Sequence, residues 1–302
     1  MSPPPPLPTA VTRNPPPSPS PTQSLLNLEL KPKAEEFEKG EPEYIIFNYP
    51  PGADPILHTD FSCLYESADR PNQVCKVPVP LPFYLSVHDV EKRIFQRLGE
   101  HPNLVRVTGM DEYGIWMERA QHGCLRVFYR EGGDAVVTPR RRLRWCEDVA
   151  RVLAFVHEKG VRHADLSGRN LLVDSKLRIL LCDFSGSAID RERAVISAEY
   201  GYRHPDDKEW LEPSIRCEIH ALGSTLYEII TTNEPHHGVD KDGVDKLLKE
   251  GRYPDVSGIL LGDVIQKCWA GGFESAAQVA DAVASHYRTL QGFYLLPLHL
   301  GK

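Results

Sequence analysis

Hydrophobic positions along this chain change their period several times, and each change marks an element. Tyr44-Ile45-Ile46-Phe47 is a short apolar run with the side chains of a strand. Ile56-Leu57 and Cys63-Leu64-Tyr65-Glu66 predict the two arms of a hairpin, and Gln73-Val74-Cys75-Lys76-Val77 the next strand. The period then lengthens. Val87, Val90, Ile94 and Leu98 recur at helical spacing; Ser86-Val87-His88-Asp89 supplies a capping pattern in front of them and Gly99 a stop. A second long helix is expected from Thr138-Pro139, an N-cap followed by proline at the first helical position. Its buried face would be Leu143, Cys146, Val149, Ala150, Leu153 and Val156, with Gly160 at its end. Leu171-Leu172-Val173 and Ile179-Leu180-Leu181 form a short apolar hairpin. The stretch from Glu218 to Ile230, apolar nearly all round, predicts a helix in the middle of a core. Lys267-Cys268-Trp269 and the Ala-rich stretch Glu274 to Tyr287 complete the C-terminal helices, and no internal repeat is visible.

Composition separates the first 42 residues from the rest. Ten of the 26 prolines fall within the first 21 residues, with Ser and Thr between them. Proline fixes φ and removes a donor, so residues 1–42 are expected to be a disordered, partly polyproline II arm. Pro3-Pro4-Pro5-Pro6-Leu7-Pro8 is a candidate ligand for an SH3-type groove, and Ser18-Pro19 and Ser20-Pro21 are candidate phosphosites; a solvated tail without a partner is the alternative. At 302 residues in all, the chain can hold one large domain or two lobes with sizeable cores. A net charge of −7, with Arg140-Arg141-Arg142 as its main basic block, argues against a nucleic-acid-binding surface. Seven cysteines without a C-x-x-C pair fit reduced thiols in the cytosol or nucleus better than disulfides or zinc. No apolar h-region follows the start and no apolar run approaches a membrane span, so neither a secretory signal nor a membrane partner is expected.

The chemistry concentrates in His163-Ala164-Asp165-Leu166-Ser167-Gly168-Arg169-Asn170, followed after the apolar hairpin by Leu181-Cys182-Asp183-Phe184-Ser185-Gly186. An H-x-D-x-x-x-x-N loop and then a D-F pair suits phosphoryl transfer, in which one carboxylate holds the acceptor hydroxyl while an amide oxygen and a second carboxylate hold Mg²⁺ against phosphates. The stretch resembles the catalytic loop and metal-binding D-F-G of the eukaryotic protein kinases, and the resemblance covers about residues 43 to 290. It implies an α+β, two-lobed protein kinase fold: a small β-rich N-lobe with one helix over residues 43–117, a larger helical C-lobe over 118–290, and a tail over 291–302. It also implies ATP and Mg²⁺. Asp165 would accept or orient the hydroxyl proton, and Asn170 and Asp183 would bind the metal. Lys76, paired with Glu91 on the first helix, would position the α- and β-phosphates, and Arg169 would help neutralise the γ-phosphoryl. Ile115 to Leu125 resembles the hinge between lobes, with Met117 as gatekeeper and adenine read by Glu118 C=O and Ala120 N–H; Val74, Leu64 and Leu172 would complete the nucleotide pocket. Tyr202-Arg203-His204-Pro205-Asp206 stands where the family ends its activation segment with A-P-E.

The departures bear on activity. The three glycines of the phosphate loop would fall at about Leu57, Thr59 and Ser62, so none is present, which should weaken nucleotide binding or hold the loop open. Ala164 replaces the arginine that grips a phosphorylated segment, so control by such a phosphate is not expected. Ser185 replaces the glycine of D-F-G and would stiffen the movement of Phe184. Ser167 stands where Ser/Thr kinases carry a lysine, whereas Arg169 matches the tyrosine-kinase style of loop. Val74 replaces a small alanine beside adenine. Glu218 replaces an aspartate that supports the catalytic loop, and Asp206 shortens the A-P-E acid. The arginine partner of that acid has no evident counterpart near the last helix, where Phe273-Glu274 sit. The expected function is an ATP-dependent protein kinase acting on a Ser/Thr or Tyr hydroxyl of a protein substrate. A pseudokinase scaffold or nucleotide-binding module with little turnover, and a small-molecule phosphotransferase of the same fold, stay open as alternatives.

Overall fold

The structure is a computed structural model that describes residues 47–206 and 214–294, all within the unit Ile45–Lys302. The Pro-rich arm and its SH3-type motif lie outside the described residues, as do Tyr44–Ile46 of the first expected strand and the tail beyond Tyr294. Phe47 is not in a strand; it lies against the sheet, its ring 6.3 Å from that of His58.

Strands β1 (Ala53–His58), β2 (Ser62–Ser67) and β3 (Gln73–Pro78) run antiparallel, and helix α1 (Pro82–Leu98) follows. Strands β4 (Val107–Met110) and β5 (Ile115–Glu118) complete a sheet of order β1-β2-β3-β5-β4 among the described residues. Side chains alternate across a strand, so the sheet has two differently used faces. Cys63, Tyr65, Cys75, Val77 and Trp116 pack on one of them. The register pairs Leu64 with Lys76, Lys76 with Ile115 and Val74 with Met117, which puts these five on the other face, towards α1 and the second lobe.

Helix α1 begins five residues earlier than the Ser86 capping pattern indicates. Pro82 takes the first turn, where its missing N–H costs nothing, the N-cap Leu81 makes no side-chain cap, and the Ser86 hydroxyl donates to Phe83 C=O at 2.6 Å. Gly99, at φ 64°, ends the helix as expected. The buried stripe includes Glu91, fully enclosed, beside Val87, Ile94 and Leu98.

The second lobe is helical. Short α2 (Leu125–Arg130) leads to α3 (Pro139–Glu158), whose Thr138 cap accepts from Arg141 N–H at 3.2 Å. All six expected core positions of α3 are buried, together with Trp145 and Val152. Two small antiparallel pairs follow: β6 (Val161–Arg162) with β9 (Ala188–Ile189), and β7 (Leu171–Val173) with β8 (Ile179–Leu181). Helix α4 (Ile215–Thr231) is buried nearly all round. Helices α5 (Lys241–Lys249), α6 (Gly262–Trp269) and α7 (Ala276–Tyr294) complete the lobe, α7 running past the expected start of the tail at 291. A single apolar cluster extends from Val74 and Met117 through Ile94, Phe95 and Phe184 to α3, α4 and α7. The segment after α1 is stitched to β8: Val105 N–H donates to Leu181 C=O and Leu181 N–H to Asn103 C=O. No helix among the described residues is long and apolar enough to cross a membrane.

Gly114 shows how tightly the sheet is drawn. A Cβ there would fall 2.0 Å from the carbonyl oxygen of Lys76. Gly114→Ala is expected to lower unfolding free energy by about 1–3 kcal/mol, because backbone must move to admit the methyl; chemical denaturation monitored by tryptophan fluorescence measures it.

Candidate active site

Lys76 leaves the inner face of β3 and is 4% exposed. Its ammonium donates to Glu91 Oε1 at 2.7 Å and to Asp183 Oδ1 at 2.6 Å, joining sheet, α1 and the segment after β8. Burial alone would lower the lysine pKa, but the two carboxylates outweigh it and raise it. Desolvation would raise the Asp183 carboxyl; the ammonium beside it wins and holds the group below its ordinary value. Glu91 does more than pair. Its Oε1 accepts Phe184 N–H at 3.0 Å and its Oε2 accepts the Ser185 hydroxyl at 3.0 Å. Phe184 is wholly buried, its ring 5.3 Å from Phe95 of α1 and 5.0 Å from His163.

The loop from His163 to Asn170 is held from below by α4. Glu218 accepts His163 N–H at 3.1 Å and Ala164 N–H at 2.5 Å, and its Oε2 lies 2.7 Å from His157 Nε2. Ala164 and Asp183 both adopt positive φ, 68° and 63°, conformations that non-glycine residues hold only when surroundings impose them. His163 is fully buried, its Nε2 3.0 Å from Cys182 C=O. Asn170 Nδ2 donates to Asp165 C=O at 2.7 Å and to Asp165 Oδ2 at 3.0 Å, which turns the amide oxygen the other way. Arg169 approaches Asp165 Oδ2 at 3.3 Å and Glu199 at 3.4 Å. The remaining oxygen, Asp165 Oδ1, is buried and has no hydrogen-bond partner. Desolvation raises the Asp165 carboxyl to about 6, against the lowering influence of Arg169.

The hairpin where phosphate-binding glycines would fall is a closed turn. Thr59 N–H donates to Ser62 C=O at 2.8 Å, and the Thr59 hydroxyl oxygen accepts Ser62 N–H at 3.1 Å and Phe61 N–H at 3.4 Å. The amides at the tip are thus bound within the turn, and Phe61 packs on Tyr84 of α1, ring centroids 6.0 Å apart. Across the cleft mouth, Glu118 N–H is taken by Arg106 C=O and Ala120 C=O by Gly123 N–H; the hinge reading uses the opposite groups, Glu118 C=O and Ala120 N–H. Val74, Met117, Leu64 and Leu172 belong to the same apolar cluster beneath them.

A sequence model of the protein tyrosine and serine/threonine kinase family matches residues 87–283, well over half of the chain. The chain belongs to that family. Relatives include a protein named "Probable serine/threonine-protein kinase SIS8" of Arabidopsis thaliana, 27% identical over 65% of this chain and 20% of that protein. The serine/threonine-protein kinase mos of Patiria pectinifera is 23% identical over 66% of this chain and 63% of its own length. The receptor tyrosine-protein kinase erbB-4 of Homo sapiens is 23% identical over 67% and 16%. The chain thus spans less than two thirds of the length of each of these relatives.

The structure brings Lys76, Glu91 and Asp183 into direct contact, and Asp165, Arg169 and Asn170 into a second group joined to the first through His163, Cys182 and Phe184. Three features of the structure were not anticipated. The larger Glu218 reaches both loop amides and gives them the support that an aspartate usually gives in the family. Ser185 binds Glu91 rather than merely stiffening Phe184. Asp206 has a cation after all, Arg216 at 3.6 Å from the start of α4 rather than from the last helix; both side chains are exposed. Removing the carboxylate in Glu218→Ala would orphan two buried amides, each costing about 1–3 kcal/mol. Urea denaturation of this variant is expected to show a loss of at least about 2 kcal/mol, and Glu218→Gln a smaller one because its amide oxygen still accepts.

Proposed function

We propose that this kinase transfers the γ-phosphoryl group of ATP, as a Mg²⁺ complex, to a hydroxyl of a protein. The observation that carries the reading is the buried, unpartnered Oδ1 of Asp165, on a carboxyl raised to about 6. An acceptor held against that oxygen can give up its proton near neutral pH. Asn170 and Asp183 fit a magnesium site. Among the described residues no group of three or more His, Cys, Asp or Glu could hold a metal by itself. Magnesium asks for less, one or two carboxylates with phosphates and water completing the shell. When bound, the metal would neutralise charge on the phosphates. Lys76, oriented by Glu91, would place the α/β-phosphates, and Arg169 would add positive charge beside Asp165. Phe184 and the apolar cluster behind it exclude water from the inner wall of the cleft.

A second reading, a nucleotide-binding or scaffold module with little turnover, draws on one observation: the Thr59 hydroxyl already occupies the amides of Phe61 and Ser62. Relatives named as Ser/Thr and as Tyr kinases are similar to this chain at comparable identity, so the acceptor class is open between them. Purified full-length protein with labelled ATP and Mg²⁺ decides between the two readings. Phosphorylation of itself or of a protein substrate is expected, abolished in Asp183→Ala and in Lys76→Ala; equal labelling in either variant, or none in the wild type, rejects the transfer reading. Because Asp165 must be ionised to take a proton and its carboxyl lies at about 6, kcat/KM is expected to fall as pH drops through about 6, and a profile flat to pH 5 would count against it.

A further inference from the structure

We propose that Arg93 and Arg97 on α1, with Asp190 and Glu192 of the segment after β9, are positioning residues that hold Glu91 against Lys76 with no phosphate on that segment. The proposal rests on the reading of the cleft as a phosphotransfer site only in its consequence for turnover. Arg93 meets Glu192 through two bonds, 2.6 and 2.7 Å, and Arg97 meets Asp190 through two, 2.9 and 3.0 Å. Arg97 also donates to Lys159 C=O at 3.3 Å, at the end of α3. Bidentate geometry fixes orientation as well as distance. Arginines four apart lie on one face of a helix, so the two pairs grip α1 as a unit over more than one turn.

The carboxylates are themselves anchored to the large lobe. β9 pairs with β6, Asp190 N–H donates to Gly160 C=O at 2.9 Å, and Glu192 N–H donates to Ile189 C=O at 2.9 Å. Asp190 sits at φ 54°, which sets its side chain as a turn residue rather than a strand continuation. Where a cation for a phosphorylated segment would arise, at Ala164, the space is filled instead: Ala164, Ala188 and Ala194 bury one another, with Ile196 packed on them. An apolar contact thus stands where the loop cation would be. Two acidic residues in the segment take the place of an added one, and the helix arginines take the place of the loop cation.

The pairs are half-exposed, so their hold is modest and screened by salt. The test uses the full chain, treated with phosphatase and shown by intact mass to carry no phosphate, and compares it with Asp190→Asn/Glu192→Gln and with the charge swap Arg93→Glu/Glu192→Arg. Amide hydrogen exchange in α1 is expected to be unchanged by phosphatase, to rise about tenfold in the neutralised variant, and to return towards wild type in the swap, while exchange in α3 stays constant. A rise in α1 exchange after phosphatase, or none in the neutralised variant, overturns the clamp. Loosening of α1 in a protein that shows no turnover sustains the clamp and counts only against the transfer reading.

Discussion

An ammonium taken almost wholly out of water between two carboxylates is the interaction on which this structure depends. Desolvating a charge costs several kcal/mol even after relaxation, and the cost is met only if partners are close and hydrogen-bonded. Lys76 meets both conditions with Glu91 and Asp183, and each partner is secured elsewhere: Glu91 by Phe184 N–H and the Ser185 hydroxyl, Asp183 by Ser185 N–H at 3.2 Å. Sheet, helix and loop therefore cannot shift independently. Moving α1 outwards would strand the lysine, and moving the loop would strand the glutamate. Stability and the geometry of the cleft are set by the same three charges.

Around that point the chain departs from its family by substitution with compensation. A longer acid at 218 reaches two loop amides from a buried helix and so fixes Ala164 in a backbone conformation alanine does not choose. A serine at 185 gives up the freedom of glycine and gains a hydroxyl that reaches Glu91. Ala164 gives up a cation and gains a dry contact with Ala188 and Ala194. The exchanges at 164 and 185 give up a cation and a flexible residue, and all three add a fixed contact.

Much of this was legible in the sequence, and the limit has a physical cause. Periodicity located β2, β3, α3 and α4 because burial on one face, or on all, imposes a repeating pattern. The loop from His163 to Asn170 and the following Asp183 stood out because the family's motif fixes residue type and spacing together. The start of α1 was misplaced because a proline at the first turn leaves no polar cap to read, while Ser86 offered a false one. The ion pairs of Arg93 and Arg97 were not legible because partners nearly a hundred residues apart leave no local signal; only the spacing of four between the arginines and of two between the acids hinted at it. Arg216, only ten residues from Asp206, was missed for another reason: the partner was sought near the last helix.

The hairpin at Thr59 sets one further constraint. Backbone amides at a glycine-rich tip have no internal acceptor and so turn to phosphate; here the Thr59 hydroxyl, two and three residues back, accepts those of Phe61 and Ser62. A nucleotide entering the cleft must displace that hydroxyl or forgo those bonds, and a typical net bond is worth about 0.5–1.5 kcal/mol. The deficit is a few-fold to tenfold in affinity for each bond forgone, large enough to weaken binding and too small by itself to forbid it. The Lys76 ammonium, buried on the inner face of β3, would act on such phosphates in a drier setting, where electrostatic interactions are stronger. A hairpin that contributes little is therefore compatible with a cleft that still positions a triphosphate, so long as α1 stays docked.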